Sequence, residues 1–381
     1  MTTTLIIGGG TGGVVAANVL RRALGKKHKI ILLDRKENYY YAGSYPLLII
    51  GRRKPGQIIR NLNKLSQKGI EFIRAEVKSV NPQEFKVQTE SGTIDYDYLI
   101  LSPGAEHHLE TVPGFREGAY NVYDLESNIS LNKRLKTFHR GKIVLFISSL
   151  PFTCPTAPYE IVFLLDDYFR NRGLREKIEL LMVTPEPYPN PVAHPLVGES
   201  IRKMMQQRQI GLYSGAKVLD LREGNLRLDQ GINIKADLFL GIPSHWGPSF
   251  LAGSGLLDAD GWVEVSPQTL QTRNKLIYAI GDATALRIPV SRVLAPKAGV
   301  FAHFQAEVVA RNLASIIQGK KERFRYTGKG VCIYYTGSGQ ARYLSVNYYK
   351  KTMPMIKMTK PLKIASWAKK TIERDFLKRW F

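Results

Sequence analysis

Short apolar runs alternate with helical stretches over the first hundred residues. The run at 5–7 is followed by a cluster of glycines and by a helical stretch rich in Ala, Val and Leu at 14–24. A second run at 30–33 ends in an acid, and further runs occupy 70–80 and 96–104. Apolar runs bounded by turn residues are typical of buried parallel strands. Strands that alternate with helices predict an α/β fold built on a parallel sheet.

A second series of strands and helices begins near Lys142. Strand-like runs at 142–149 and 179–184 flank a helix-like stretch at 159–169, and a Pro/Gly-rich crossover at 241–248 returns the chain. The pattern predicts two Rossmann-like domains, the first of which is formed by two separate parts of the chain. The predicted bounds are 1–115 and 266–325 for the first domain, 116–265 for the second and 326–381 for a C-terminal region.

The glycine cluster after the first strand has the spacing of a dinucleotide-binding turn. The turn consists of Gly8, Gly9, Gly10, Thr11, Gly12 and Gly13. Its first, third and sixth residues follow the pattern G-x-G-x-x-G, which permits a tight turn and a close approach of the backbone to a pyrophosphate. Asp34 ends the next strand, where a carboxylate accepts hydrogen bonds from ribose hydroxyls. A structural glycine turn is the alternative, but strand, glycines, helix, strand and acid in this order favour a nucleotide site.

The second motif lies at the end of an apolar run at 276–280. Gly281 and Asp282 follow this run, so a cofactor can pass close to the glycine while the carboxylate accepts a hydrogen bond from a ribityl or ribose hydroxyl. Lys297 stands at the start of a predicted helix that extends to about residue 317. At this point a lysine can lie beside an anionic ring, whereas most lysines are simply exposed to solvent at the surface.

The second domain lacks the glycines that a nicotinamide dinucleotide would require. No glycine occurs between Lys142 and Arg172, where the fingerprint is expected. Cys154 occupies the turn instead, and close approach of the backbone to a pyrophosphate is not expected there. The other cysteine, Cys332, lies in a short predicted strand after a Gly-rich turn.

Two further positions keep two interpretations open. The aromatic loop at 39–51, which contains Pro46, is either a core-facing loop or a wall beside a flat ligand. His194 lies in a proline-rich loop, where its imidazole is either a structural hydrogen-bonding group or a proton carrier.

The composition adds a strong positive charge. The 381 residues include 55 Lys and Arg against 32 Asp and Glu, a net charge of +23. This excess favours an anionic partner, which is nucleic acid, anionic lipid or a small anionic substrate.

The sequence predicts neither a membrane-spanning helix nor a secreted protein. No apolar run approaches the roughly 20 residues that span a bilayer, and the first strand leaves no room for a cleaved signal peptide. Two cysteines argue against a secreted disulfide scaffold.

The last part of the chain concentrates this charge beside apolar residues. The stretch 350–381 contains ten Lys or Arg and two acids. Apolar residues recur there at helical spacing: Ala365, Ala368, Ile372, Phe376 and Trp380, widened by Leu362, Trp367, Leu377 and Phe381. One interpretation is a helix docked on its own core. Trp and Phe in a basic setting favour the other, an interfacial membrane helix. Because the chain shows no recognised nucleic-acid fold, we predict no nucleic-acid partner.

With these motifs together, the chain resembles the sulfide:quinone oxidoreductases. The resemblance depends on residues 154–160 (Cys-Pro-Thr-Ala-Pro-Tyr-Glu), on 280–282, on 296–299 and on Cys332, and it covers nearly the whole chain. This family is a branch of the flavoproteins with two dinucleotide-binding domains, which also include flavocytochrome c sulfide dehydrogenase and type II NADH dehydrogenase.

The resemblance implies FAD as the cofactor, and sulfide and a membrane quinone as substrates. It also implies a peripheral, monotopic position on an anionic surface of the cell membrane, with no metal and with a homo-oligomer allowed. The FAD-binding residues that it implies are Gly8, Gly9, Gly10, Thr11, Gly12, Gly13, Asp34, Arg35, Pro46, Val77, Ser102, Gly104, Gly281, Asp282 and Lys297. The implied catalytic residues are Cys154, Cys332, Lys297 and His194, with Tyr334 and Tyr335 on the quinone side.

By the same resemblance, Cys154 and Cys332 form a disulfide or sulfur-bridged pair that sulfide attacks, and two electrons pass through FAD to the quinone. Lys297 and a helix N-terminus are expected to favour the thiolates. The chain departs from the family at Tyr123, where many members carry a further cysteine. This departure gives no support to a covalent flavin at that point or to a mechanism with three thiols.

Two related activities compete with this prediction. A type II NADH dehydrogenase requires the glycine fingerprint that the second domain lacks. A sulfide dehydrogenase with a cytochrome acceptor fits two cysteines but requires export and no membrane anchor.

Overall fold

A computed structural model describes residues 1–229, 231–350 and 355–381. The predicted basic stretch from residue 350 therefore includes four positions, 351–354, outside the described residues. The α-helices are α1 (Thr11–Leu24), α2 (Tyr45–Ile49), α3 (Pro55–Ile58), α4 (Phe115–Gly118), α5 (Leu125–Thr137), α6 (Ala157–Arg170), α7 (Pro195–Gln207), α8 (Gly299–Ile317) and α9 (Lys363–Arg379). Short 3-10 helices lie at Ala42–Ser44, Leu62–Lys68, Leu109–Thr111, Arg175–Lys177, Ser249–Leu251 and Gly281–Ala283.

The first sheet is formed by five parallel strands from distant parts of the chain. In spatial order they are Ile277–Ala279, Tyr98–Leu101, Thr3–Ile7, Lys29–Asp34 and Glu71–Arg74. Helices α1 and α8 pack together on one face, where Val14, Leu32 and Val309 share one buried core. Because parallel strands all end at the same edge, the turns after Ile7, Leu101 and Ala279 come together there.

The second sheet is also parallel and five-stranded. Its spatial order is Ala119–Asn121, Leu238–Ile242, Gly141–Ile147, Ile178–Thr184 and Ile210–Ser214. Helix α6 follows the central strand and is buried along most of its length. The α/β fold class with two Rossmann-like units, predicted from the alternation of strands and helices, is confirmed.

Smaller antiparallel sheets complete the fold. They consist of Val77–Asn81 with Lys86–Thr89 and Gly92–Asp95; Val218–Arg222 with Asn225–Leu228 and Asn233–Lys235; Lys329–Gly337 with Gln340–Asn347 and Met355–Met358; Asn38–Tyr40 with Ile59–Asn61; and Glu106–His108 with Ser244–Trp246. The strand Lys329–Gly337 lies against α6, so the C-terminal region is attached to the second sheet.

Helix α9 divides its apolar residues between two opposite faces. One face docks on the protein core: Ala365 and Leu377 are buried, Trp380 is 2% exposed, and the Trp380 carbonyl accepts a hydrogen bond from Asn18 Nδ2 at 3.2 Å. Of the stripe predicted from the sequence, Ala365 and Trp380 are buried, whereas Ile372, two turns from Ala365, is 50% exposed at the edge of this face. The interpretation as a docked helix therefore holds for this inner face, and the interfacial membrane helix stays a prediction. Over the described ranges we find no helix both long and apolar enough for a membrane crossing.

Candidate functional site

The glycine turn has the geometry of a phosphate-binding cradle. A Cβ atom on Gly8, whose φ is +105°, would lie 2.1 Å from the Ser102 carbonyl oxygen, and one on Gly13 would lie 1.9 Å from the Gly8 oxygen. These positions therefore accept only glycine. Gly10, in contrast, is exposed, with no atom within 4 Å of a Cβ placed on it. The open side of the turn is thus where a ligand can approach the backbone.

The start of α1 and the Asp34 carboxylate point to a nucleotide at this turn. No side chain caps α1 at Gly10, so its first N–H groups are available to an anion. Asp34 Oδ2 accepts a hydrogen bond from the Gly9 N–H at 2.6 Å, and Oδ1 accepts one from the Lys36 N–H at 2.7 Å. These bonds fix the carboxylate beside the turn, and its remaining lone pairs suit ribose hydroxyls.

Asp282 offers a hydrogen-bond acceptor that the protein leaves unused. Its Oδ2 accepts a bond from Thr153 Oγ1 at 2.8 Å, but Oδ1 is buried without a partner among the described residues. Burial raises the pKa of this carboxyl group. A buried polar atom without a partner is costly, so a ligand hydroxyl at Oδ1 would stabilise the site. Together with the glycine turn, this observation fits an extended dinucleotide that reaches from Asp34 to Asp282.

Lys297 is held tightly beside Asp282. Its ammonium group donates to the Asp282 carbonyl at 2.7 Å and to the Thr284 carbonyl at 3.0 Å, and it lies 3.5 Å from the centre of the Trp262 ring. Burial lowers the pKa of Lys297 to about 8. The cation is therefore fixed at the edge of the predicted cofactor site, ahead of the first turn of α8.

The Cys154 turn connects the second sheet to this edge of the first. The Cys154 N–H donates to the Lys297 carbonyl at 2.6 Å, and Thr153 forms a parallel β-bridge with Lys297. Cys154 has φ +56°, which is uncommon for a residue other than glycine. Such a conformation persists only where its surroundings enforce it. Here the bond to Lys297 and the start of α6 three residues later fix the position of the thiol.

The two cysteines meet at one hydroxyl group. Thr156 Oγ1 lies 3.2 Å from Cys332 Sγ and 3.9 Å from Cys154 Sγ. Both thiols are free and partly exposed. The fold therefore brings together two sulfur atoms that lie 178 residues apart in the sequence, beside the N-terminus of α6.

A buried ion pair lies behind the two thiols. Lys369 of α9 donates to Glu160 of α6, and Glu160 Oε1 also accepts the Tyr335 N–H at 3.0 Å. Burial raises the pKa of Cys154 to about 12 and also raises the pKa of Cys332, whereas the Lys369 charge lowers both. The resemblance implies Lys297 as a cation that favours the thiolates, which stays a prediction, and Lys369 is a further cation whose charge lowers the pKa of both thiols.

Three aromatic residues that the sequence did not single out as a group lie behind the Cys154 turn. The Tyr123 hydroxyl donates to the Thr153 carbonyl at 2.6 Å, and its ring packs against His107 and His245. Burial lowers the pKa of His107 to about 4 and that of His245 to about 3, so both imidazoles are neutral near pH 7. Their ring centres are 4.4 Å apart. This cluster therefore supports the cysteine turn without adding charge.

The remaining predicted site residues have the following positions. His194 caps α7 through a bond that its Nδ1 accepts from the Leu196 N–H at 3.1 Å, which matches the structural alternative. Pro46 is buried in α2, and Ser102 is buried just after its strand, at the edge where the nucleotide site lies. Gly104 and Gly281 both have a positive φ, at +79° and +74°. Val77 begins the strand Val77–Asn81. The guanidinium group of Arg35 forms an ion pair with the Glu76 carboxylate, with Nη1 and Oε1 3.8 Å apart.

The two predicted quinone-side tyrosines differ in their surroundings. Tyr334 is buried in the core, where its hydroxyl lies 3.9 Å from Met358 Sδ. Tyr335 instead lines a cavity of about 290 Å³ between the segment that follows α2 and helix α9. Its buried hydroxyl has no partner in the part of the chain that the structure describes. Only Tyr335 of the pair is therefore available to a ligand in this cavity.

The Thr156 hydroxyl supplies a first test of the thiol site. We expect Thr156→Val to slow the alkylation of Cys332 at neutral pH about tenfold, because a charge-assisted hydrogen bond to the thiolate is lost. Thr156→Ser keeps the hydroxyl and is the matched control, which should retain the native rate. The rate at each cysteine is followed with iodoacetamide and peptide mass spectrometry over pH 6–10. Equal rates in the Val and Ser variants would contradict this role of Thr156.

Comparisons with known proteins show which proteins this chain is similar to. Residues 2–147 match the family model described as pyridine nucleotide-disulphide oxidoreductase. The chain is 24% identical to the mitochondrial sulfide:quinone oxidoreductase of Mus musculus over 339 residues, which cover 84% of this chain and 72% of that protein. It is 28% identical to an alternative NAD(P)H-ubiquinone oxidoreductase C1 of Arabidopsis thaliana over 341 residues, 77% of this chain and 62% of that protein.

The fold is shared with a solved structure over the full chain. The crystal structure of the sulfide:quinone oxidoreductase of Aquifex aeolicus matches with a TM-score of 0.90 at 24% identity, covering 100% of this chain and 91% of that chain. In its fold and over most of its length, the chain is therefore similar to the sulfide:quinone oxidoreductases.

Proposed function

We propose that this protein is an FAD-dependent sulfide:quinone oxidoreductase. The observation that supports this function best is the meeting of Cys154 and Cys332 at Thr156, next to the Asp282 end of the nucleotide site. Two thiols at such a position suit the oxidation of a sulfur nucleophile. FAD fits the site because a phosphate cradle, the Asp34 carboxylate and the unpartnered Asp282 oxygen lie along one edge of the sheet. When bound, FAD supplies a two-electron acceptor that relays electrons to quinone.

In the proposed reaction the cysteine pair carries the sulfur chemistry. Hydrosulfide attacks a Cys154–Cys332 disulfide, so the S–S bond breaks, a persulfide forms on one cysteine and a thiolate is released on the other. Closing the persulfide onto the thiolate then forms a new S–S bond, releases one proton and gives up two electrons to the acceptor. Thr156 and Lys369 favour the thiolate state, because a hydroxyl donor and a cation both stabilise a negative sulfur.

The cavity lined by Tyr335 is the proposed quinone entrance. Its hydroxyl is an available donor for a quinone carbonyl, and Lys369, which contacts the Tyr335 ring at 4.7 Å, links the cavity to Glu160 and the thiols. Burial raises the pKa of Tyr335, so its hydroxyl keeps its proton near pH 7.

A membrane surface is the proposed source of the quinone. Four large apolar side chains are exposed at or near α9, namely Leu362, Ile364, Trp367 and Ile372. Ile364 and Trp367 lie on the side of the helix that faces away from its docked face, Leu362 precedes the helix, and Ile372 lies at the edge of the docked face. Exposed apolar residues among basic ones are the pattern of a segment that rests in a lipid interface. The proposed location is therefore peripheral, on an anionic membrane surface.

The activity is tested directly by anaerobic addition of sulfide to the purified yellow protein. We expect the flavin absorbance near 450 nm to bleach and to return when decylubiquinone is added. A flavin that sulfide leaves oxidised, in protein that dithionite reduces normally, would overturn the proposed function.

The runner-up function, an NADH:quinone oxidoreductase, is disfavoured by the second sheet. Glu186 follows the second strand of that Rossmann unit, where an acid would hold a ribose. Here Glu186 is 1% exposed and accepts the Tyr159 hydroxyl, and burial raises its pKa to about 7. With Oε2 held by the Tyr159 and Thr184 hydroxyls and only 1% of the residue exposed, Glu186 does not present its carboxylate to the surface where a nucleotide would lie.

We therefore expect NADH to leave the flavin oxidised under conditions in which sulfide reduces it. The two reductants are compared at equal concentration by anaerobic stopped-flow absorbance. Flavin reduction by NADH at the rate seen with sulfide would instead favour the runner-up function.

A further inference from the structure

We propose that the cavity between residues 47–53 and α9 binds the phosphate group of an anionic phospholipid at its rim. This inference rests on the proposed function only in placing a membrane at this surface. It adds a defined binding site for a lipid headgroup to the nonspecific electrostatic attraction between basic residues and an anionic membrane. The residues that line the cavity are Leu47, Arg52, Arg53, Tyr335, Gly339, Ser366 and Lys370.

The rim carries two cations that the protein does not neutralise. Arg53 is paired with Glu373, since its Nε lies 2.8 Å from Oε1 of that carboxylate. The other Glu373 oxygen accepts the Ser44 hydroxyl at 2.6 Å. Arg52 and Lys370 are exposed, and neither has an acidic partner within the described part of the chain. The rim therefore keeps two net positive charges.

The hydroxyl groups of the cavity are also free to donate. Ser366 is buried, and its side chain forms no hydrogen bond to the residues that the structure describes. The Tyr335 hydroxyl lies deeper and has no partner there either. The rim thus offers the Arg52 guanidinium, the Lys370 ammonium and the Ser366 hydroxyl, and both oxygens of the neighbouring Glu373 carboxylate already accept a bond within the protein. Such a set of donors at the rim fits an oxyanion. The Tyr335 hydroxyl, deeper in the cavity, is left for the proposed quinone.

The apolar residues beside the rim indicate that the oxyanion belongs to a lipid. Trp367 is 64% exposed and lies one turn of α9 from Lys370, and Ile364 is 69% exposed one turn further. Apolar side chains that enter the acyl region place neighbouring cations at the depth of the phosphates. A soluble anion would gain nothing from Trp367 and Ile364, whereas a phospholipid uses both parts of the surface.

The test uses the full protein and vesicles of phosphatidylcholine with or without 30% phosphatidylglycerol. In co-sedimentation at 0.15 M salt, R52Q/K370Q should bind the anionic vesicles about tenfold more weakly than K363Q/K378Q, because direct contacts to phosphate are lost. The second variant removes the same charge from exposed lysines of α9 that do not line the cavity. Equal losses in both variants would show a purely diffuse attraction and overturn the headgroup site.

Inorganic phosphate separates a lipid from a free anion. Trp367 fluorescence is titrated with phosphate alone, and we expect no saturable change below 10 mM. Saturation at lower concentration, together with vesicle binding that R52Q/K370Q does not alter, would assign the rim to free phosphate and refute the lipid proposal. Vesicle binding needs neither sulfide nor quinone. A wild-type protein that binds vesicles but does not oxidise sulfide would therefore refute the proposed function alone.

Discussion

Replacement of Cys154 or Cys332 by serine is expected to abolish sulfide-dependent flavin reduction. Each substitution removes a sulfur that must form and break S–S bonds, and a serine hydroxyl cannot replace it. We expect the rate constant to fall about a thousandfold or more, the scale seen when a catalytic nucleophile is lost. The chain has only these two cysteines, so no other thiol can take over.

The measurement is anaerobic stopped-flow absorbance of the bound flavin after mixing with sulfide. Dithionite serves as the control reductant, because it reduces the flavin without using the cysteines. The flavin-to-protein ratio of each variant checks that the nucleotide site is intact. If both serine variants kept the wild-type rate with sulfide, the cysteine mechanism would be untenable even though the nucleotide fold stands.

The second large effect is expected from Lys369→Met. Lys369 is 17% exposed and Glu160 is 4% exposed, so the substitution leaves a buried carboxylate without its cation. Breaking a buried pair in this way costs about 3 kcal/mol in the free energy of unfolding. The same change raises the pKa of both thiols, because the Lys369 charge lowers them together with the Thr156 hydrogen bond. Alkylation of both cysteines at pH 8 should therefore slow.

A second variant separates stability from thiol chemistry. In E160Q/K369M the carboxylate is neutralised together with the cation, so most of the lost free energy of unfolding should return. Urea denaturation measures this recovery. Lys370→Met is the matched control for alkylation, since Lys370 is the next residue of α9 and is exposed at the cavity rim. Equal alkylation rates in K369M and K370M would show that Lys369 does not act on the thiols.

The proposed function depends on α9 more than the sequence suggested. Its inner face contributes Lys369 to the thiol site and Glu373 to Arg53, while its outer face exposes Trp367 and Ile364. The proposed lipid contact and the proposed thiol chemistry would therefore involve different faces of one helix. A movement of α9 would therefore directly change the distance between Lys369 and Glu160.

The sequence by itself determined the features that depend on neighbours along the chain. Apolar runs between turn residues predicted the parallel strands, since a buried strand must be apolar over consecutive positions. The glycine turn was recognisable from its G-x-G-x-x-G spacing. The structure gives the physical reason for one of these glycines, since a Cβ on Gly8 would lie 2.1 Å from the Ser102 oxygen. The missing fingerprint of the second domain was equally local, and so was the motif that begins at Cys154.

Only the tertiary structure decided which distant side chains meet. Thr156, Cys332 and Lys369 come from a helix N-terminus, a strand and the last helix, and no periodicity in the sequence relates them. Lysines are so frequent in this chain that nothing local distinguished Lys369 from the rest. The apolar residues of α9 likewise reported helical spacing but not which of them faces the core, because that choice depends on the surface against which the helix packs.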